Sequence, residues 1–153
     1  LRRLGVEVTP LRRMGVGIAF SGLSWIAVAL IQLSLDGGEK PTVLWQSLPY
    51  ALLTFGEVLV SATGLEFAYS QAPAKLKGVL MSFWSLSTTV GNLWVLVVNA
   101  SVKNETVTKA IADTGFGVMA FQMFFFAAFA FAAAAAFAAY ARTYQIVDHY
   151  RKA

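Results

Sequence analysis

Four long apolar stretches are the feature that most restricts what this chain can fold into. Each reaches the roughly 20 residues that an α-helix needs to cross a hydrocarbon core of about 30 Å. A soluble domain of 153 residues could not bury a composition that is 58% hydrophobic and only 13% charged. We therefore predict an all-α membrane protein with four transmembrane helices, at residues 14–35, 48–71, 79–98 and 116–140.

Polar segments define the rest of the organisation. A basic connector occupies residues 1–13, a polar connection of mixed charge occupies residues 99–115, and a polar tail occupies residues 141–153. The sequence begins with Leu1 rather than methionine, so we expect the chain to be part of a longer or processed polypeptide. The absence of cysteine excludes disulfide bonds, thiolate chemistry and cysteine metal sites.

The distribution of Lys and Arg predicts the orientation. Four spans place both ends and the short connection after the second span on one side of the membrane. An excess of Lys and Arg marks the cytoplasmic side, so we predict a multi-pass protein of the cell (inner) membrane with both ends of this segment in the cytoplasm. The basic excess is thus an orientation signal, and we expect no nucleic-acid partner. The other side carries Lys40, Lys103 and Lys109, whereas the cytoplasmic side carries Arg2, Arg3, Arg12, Arg13, Lys75, Lys77, Arg142, Arg151 and Lys152.

The second apolar stretch carries an acid, Glu57, close to its middle. A carboxylate at that depth costs about 2.5–3.5 kcal/mol, so its presence indicates a role. At about 100° per residue, small and polar side chains share its helical face. We expect Glu57 to face water, substrate or another helix rather than lipid. The stripe consists of Thr54, Glu57, Ser61, Gly64 and Ala68.

The third apolar stretch carries a second stripe of small and polar residues on one helical face. Such side chains often serve helix–helix contacts in membranes, and that interpretation stays open beside a role in a cavity. Trp84 flanks the stripe, too deep to lie at an interface, and either packs in a core or forms a pocket wall. The stripe consists of Gly78, Ser82, Ser85, Thr89 and Asn92.

No arrangement of residues suggests catalysis. His149 is the only histidine and has no acidic cluster beside it, so we expect neither a metal site nor a cofactor. No Ser-His-Asp set and no pair of catalytic carboxylates can be assembled, and we expect that the protein is not an enzyme.

Two segments resemble a known family. Residues 56–73, GEVLVSATGLEFAYSQAP, resemble the tenth helix of the proton-dependent oligopeptide transporters, which belong to the major facilitator superfamily. Residues 77–84, KGVLMSFW, with Val90-Gly91-Asn92, resemble the eleventh helix of that family. The resemblance implies that the four predicted spans are the C-terminal part of a twelve-helix major facilitator fold.

The resemblance also implies roles for single residues. Glu57 matches the acid that receives the amino terminus of the peptide, Ser61 matches a position that lines the pocket, and Trp84 matches an aromatic pocket wall. Glu66 belongs to the motif but lies about 180° around the helix from Glu57, so we expect a structural or gate-side acid there. The implied function is part of a proton-coupled symporter that imports di- and tripeptides by alternating access. Its partners are then the peptides, protons as the coupling ion, the lipid bilayer and the remaining helices.

Two departures and two alternatives accompany this resemblance. The first-helix motif of the family occurs nowhere in the chain, and residues 85–89, SLSTT, replace a more apolar run. One alternative is a four-span structural or accessory membrane subunit with Glu57 in a buried ion pair. The other is a transporter of the same fold for nitrate or another non-peptide substrate, although an ionised acid at Glu57 would repel an anion.

Overall fold

The computed structural model describes residues 9–145, so predictions about residues 1–8 and 146–153, including His149, lie outside the described residues. Five α-helices and two short 3₁₀ turns, Val43–Gln46 and Ala74–Leu76, make up the described chain, which contains no strand. The predicted all-α fold class is confirmed. The helices are α1 (Pro10–Asp36), α2 (Ser47–Gln71), α3 (Lys77–Ser101), α4 (Glu105–Ala112) and α5 (Val118–Thr143).

Four helical segments of the described chain are long and apolar enough to cross a membrane: α1, α3, α5, and α2 together with the 3₁₀ turn before it. Polar residues extend the helices past the apolar stretches. The helix α1 begins at Pro10, before the apolar stretch that starts at residue 14, because Thr9 caps it. The Thr9 hydroxyl accepts a hydrogen bond from the Arg12 backbone N–H at 3.3 Å, and proline suits the first helical turn.

The short helix α4 lies inside the connection that hydropathy described only as polar. Asn104 caps it by accepting a hydrogen bond from the Thr106 backbone N–H at 3.0 Å. The Thr108 hydroxyl donates to the Val102 carbonyl at 2.9 Å, and Ile111 is buried. Capping and one buried apolar side chain therefore order a segment whose average polarity hides its helical character.

The helices α1, α2 and α5 form the packed part of the structure, with α1 in contact with both of the others. Between α1 and α2, the rings of Phe20 and Phe55 meet edge to face at 5.4 Å. The buried Ser24 hydroxyl donates to the Pro49 carbonyl at 2.8 Å. That carbonyl therefore has a polar partner inside an apolar contact, as buried backbone groups require.

The contact between α1 and α5 is aromatic. Trp25 stacks on Phe126 with ring centroids 5.0 Å apart, and Phe126 is buried. The ring of Phe131 fills the space beside Gly22, where a Cβ would lie 3.0 Å from it. Small residues on one helix thus accept large rings from the other, which is how membrane helices obtain close packing.

The helix α3 stands apart from this packed unit and has no buried residue along its length, all of which the structure describes. Near its start, Trp84 lies against α2. Near its end, Trp94 stacks on Phe129 of α5 at 5.3 Å, and the Gln122 side chain of α5 donates a hydrogen bond to Asn99. The helix therefore leans from α2 at one end to α5 at the other.

Candidate functional site

Glu57 lies near the middle of α2 and is exposed. The preceding Gly56 is buried against α1 and fixes which side of α2 faces inward. One residue further, about 100° around the helix, Glu57 points away from this contact. No residue from 9 to 145 forms a hydrogen bond or an ion pair with its carboxylate. None of the described Lys and Arg residues therefore forms a buried ion pair with Glu57.

The stripe around Glu57 is open at one end and closed at the other. Thr54, Glu57 and Ser61 are exposed, and Ala68 is half-buried. Gly64, between Ser61 and Ala68, is buried, because side chains from two other helices cover it. The open part of the stripe thus presents one acid and two hydroxyls on one face of an otherwise apolar helix.

Trp84 is the side chain of α3 that closes the stripe. Its six-membered ring reaches Gly64 so closely that a Cβ there would lie 2.9 Å from Cη2 and 3.3 Å from Cζ3. The ring is half-buried, with its remaining surface open. The structure thus brings Trp84 to the helical face that carries Glu57 and Ser61.

The polar stripe of α3 makes its hydrogen bonds within its own helix. The Ser82 hydroxyl donates to the Gly78 carbonyl at 3.2 Å, and the Thr89 hydroxyl donates to the Ser85 carbonyl at 3.1 Å. Hydroxyls that satisfy themselves in this way do not tie α3 to another described helix. The stripe is exposed at Ser82, Ser85, Thr89 and Asn92.

Glu66 is exposed on the opposite side of α2 from Glu57, as the helical period predicts. No hydrogen bond or ion pair joins it to another described residue. Its expected role as a structural or gate-side acid stays a prediction. Between residues 9 and 145, no three His, Asp or Glu side chains come together in a way that would hold a metal ion.

One residue of the site, Met14, and one contact, that between Gly64 and Trp84, were not predicted from the sequence. Met14 of α1 approaches the same point as Trp84, with its Cε 3.1 Å from where a Cβ on Gly64 would lie. Gly64 was part of the predicted stripe, but its contact with the indole depends on how closely α2 and α3 approach. Gly64 and Trp84 are expected at similar depths in the membrane. A glycine at the depth of a tryptophan on the next helix was the signal that could have suggested their contact.

Comparisons with known proteins identify the family. A family model described as PTR2, POT family, matches residues 1–119. Human solute carrier family 15 member 2 is 56% identical over 60 residues, which cover 39% of this chain and 8% of that protein. Human solute carrier family 15 member 1 is 59% identical over 49 residues, which cover 32% of this chain and 7% of that protein.

Solved structures match over more of the chain. A crystal structure described as an auto-inhibited POT family peptide transporter superposes with a TM-score of 0.95 and 69% identity. This match covers 100% of the chain and 30% of that protein. The POT family transporter PepTSo gives a TM-score of 0.89 and 67% identity, over 95% of this chain and 29% of that one. The chain thus spans less than a third of the length of the proteins that it matches.

These matches confirm the resemblance that residues 56–73 and 77–84 suggested, and the all-helical membrane fold is of the major facilitator type. They also agree with the expectation that the protein is not an enzyme, because the matched family consists of transporters. Since the family model covers more than half of the sequence, the chain belongs to the POT family.

Proposed function

We propose that this chain supplies four membrane-spanning helices of a proton-coupled symporter that imports di- and tripeptides by alternating access. The observation that supports this most directly is Glu57, an exposed acid in the middle of a spanning helix without a partner in the described chain. An acid in that position is costly unless it meets water, a proton or a cation. The amino terminus of a peptide is such a cation.

The charge of Glu57 favours peptides over anions. An ionised carboxylate repels nitrate and attracts the ammonium group of a peptide. Protons as the coupling ion are part of the same proposal, and the coupling step need not reside at Glu57.

The spacing along α2 suits a short peptide. Gly64, where Trp84 lies, comes seven residues after Glu57, which is about 10 Å along the helix axis. An extended peptide covers about 3.3–3.6 Å per residue, so three residues span that distance, and two residues span about 7 Å of it and leave the rest to a side chain. With its amine at Glu57, a di- or tripeptide reaches the indole of Trp84 with a side chain. Ser61 lies between the two and offers a hydroxyl to the peptide backbone.

The chain forms one wall of such a cavity. Alternating access requires two halves that rock around a site near the midplane, so the remaining helices of the transporter are its partners. The superposition over the whole chain on part of a POT transporter favours this role over a separate accessory subunit. With both ends of the segment in the cytoplasm, the 3₁₀ turn at Ala74–Leu76 also lies on that side of the cell membrane.

The experiment is Glu57→Gln in the complete transporter, reconstituted in liposomes with a proton gradient. We expect uphill dialanine uptake to fall at least about tenfold, because losing one partner of a desolvated charge pair costs about 2–5 kcal/mol. Glu105→Gln is the matched control, since Glu105 is exposed in α4 and lies outside the polar stripe. Wild-type accumulation by a correctly folded Glu57→Gln protein would overturn the proposal.

A further inference from the structure

We propose that Gly64 is a positioning residue for Trp84, and that Gly64 and Met14 together set how large a peptide side chain the cavity accepts. This inference rests on the proposed function, in which Trp84 forms the wall for peptide side chains. It concerns two residues that make no contact with the peptide themselves. They act by determining where the indole ring stands.

The contact geometry singles out Gly64. A Cβ on Gly64 would lie 2.9 Å from Cη2 of Trp84, closer than real Cβ atoms approach other groups. The Cε of Met14 closes the same corner from α1, 3.1 Å from the same point. The ring therefore occupies space that only a glycine leaves open.

Gly64 differs from Gly56, the other glycine of α2. A Cβ on Gly56 would meet the backbone carbonyl of Gly17 at 2.7 Å, so a methyl there forces two helices apart. The three atoms nearest to a methyl on Gly64 are all at the ends of side chains, those of Trp84 and Met14. Because α3 has no buried residue, the ring and its helix have room to yield. The result of Gly64→Ala is then a displaced ring rather than a broken helix contact.

The displacement has a direction. To accept the methyl, the edge of the ring retreats from 2.9 Å to the ordinary contact range of 3.4–4 Å, and it moves away from α2. In the proposed site the peptide side chain lies against this ring. A ring that stands further from α2 narrows the space for large side chains and leaves small ones unaffected. Met14→Ala removes the side chain that shares this corner with the ring. The ring can then lie closer to α2, and the space for large side chains widens.

The test is a competition profile in the complete transporter. Uptake of labelled dialanine is inhibited by unlabelled dipeptides whose side chains increase from alanine to leucine to tyrosine. For Gly64→Ala we expect the inhibition constant of the tyrosine peptide to rise at least about tenfold relative to that of dialanine, because one methylene in an apolar pocket has an effect of this size. For Met14→Ala we expect the inhibition constant of the tyrosine peptide to fall relative to that of dialanine.

Two further variants complete the design. Gly91→Ala in α3 is the matched control, since a Cβ there meets no atom of residues 9–145 within 4 Å, and its profile should stay that of the wild type. Combining Gly64→Ala with Trp84→Phe shortens the ring and gives the methyl room, so this pair should recover acceptance of the tyrosine peptide. If Gly64→Ala alone fails to fold, recovery of a folded, transporting protein by the pair supports the same contact.

The outcomes separate the two proposals. If Trp84→Ala changes the profile but Gly64→Ala and Met14→Ala leave it as in the wild type, the positioning role is overturned and the pocket wall stands. If Trp84→Ala also leaves the profile unchanged, Trp84 does not form the pocket wall. The positioning role of Gly64 and Met14 is then overturned as well. A uniform loss of affinity for all three peptides in Gly64→Ala indicates general damage and overturns the positioning role.

Discussion

Gly17 of α1 and Gly56 of α2 lie in direct backbone contact. A Cβ on Gly56 would lie 2.7 Å from the Gly17 carbonyl oxygen, and one on Gly17 would lie 2.8 Å from the Gly56 carbonyl oxygen. This crossing fixes the rotation of α2 one residue before Glu57, and so it determines which side of the bundle the acid faces.

The first prediction follows from that crossing. Gly56→Ala forces the two backbones apart, and we expect it to lower the free energy of unfolding by about 1–3 kcal/mol, as overpacking does. A lower Tm of the purified transporter in detergent is the measurement. Gly78→Ala is the control, because a Cβ there meets no atom of the described part of the chain within 4 Å. Equal Tm values for the two variants would show that the crossing is not close-packed.

The second prediction isolates the charge pair at Glu57. Acetylating the amino terminus of dialanine removes the positive charge that Glu57 attracts, so the acetylated peptide should compete far more weakly at the wild-type protein. In Glu57→Gln the two peptides should compete almost equally, since the variant has no charge for the amine to meet. The measurement is the ratio of their inhibition constants in both proteins. An unchanged ratio in the variant places the amine elsewhere in the cavity.

The third prediction compares two tryptophans of α3. Trp84→Ala should change the preference among peptide side chains more than it changes expression, because the ring faces the stripe of Glu57 and Ser61. Trp94 stacks on Phe129 at 5.3 Å and serves the contact with α5. We therefore expect Trp94→Ala to lower the Tm and leave the competition profile as it is. The same profile change in both variants would assign Trp84 to packing alone.

Local sequence patterns predicted which residues share a face of one helix, but they did not predict the contacts between helices. The positions of Glu57 and Ser61 on one face of α2 follow from the 3.6-residue period, which needs no knowledge of neighbours. The contact between Gly64 and Trp84 depends on the angle between α2 and α3 after the turn at Pro73, and no local pattern contains that angle. A partner for Glu66 would also lie on another helix, and no local pattern identifies it. Its role therefore stays a prediction.

The helix α4 shows a second limit. Hydropathy averages over many residues, so a segment of eight residues with one buried side chain, Ile111, disappears into its polar surroundings. The sequence does contain the capping residue, Asn104, with Glu105 in the first turn and Lys109 in the last. These signals favour a helix in the way that caps and the helix dipole do. Capping would therefore have predicted the helix where hydropathy did not.

The last prediction concerns the hydrogen bond between Asn99 of α3 and Gln122 of α5, two residues that are 23 positions apart. With the stacking of Trp94 on Phe129, it joins the ends of two helices that otherwise touch little. A double-mutant cycle with Asn99→Ala and Gln122→Ala should give a coupling of about 0.6 kcal/mol, the average for side-chain hydrogen bonds between membrane helices. The measurement is equilibrium unfolding of the four proteins in detergent. Strictly additive effects would mean that the two amides do not pair in the folded transporter, and the leaning of α3 toward α5 would then depend on Trp94 alone.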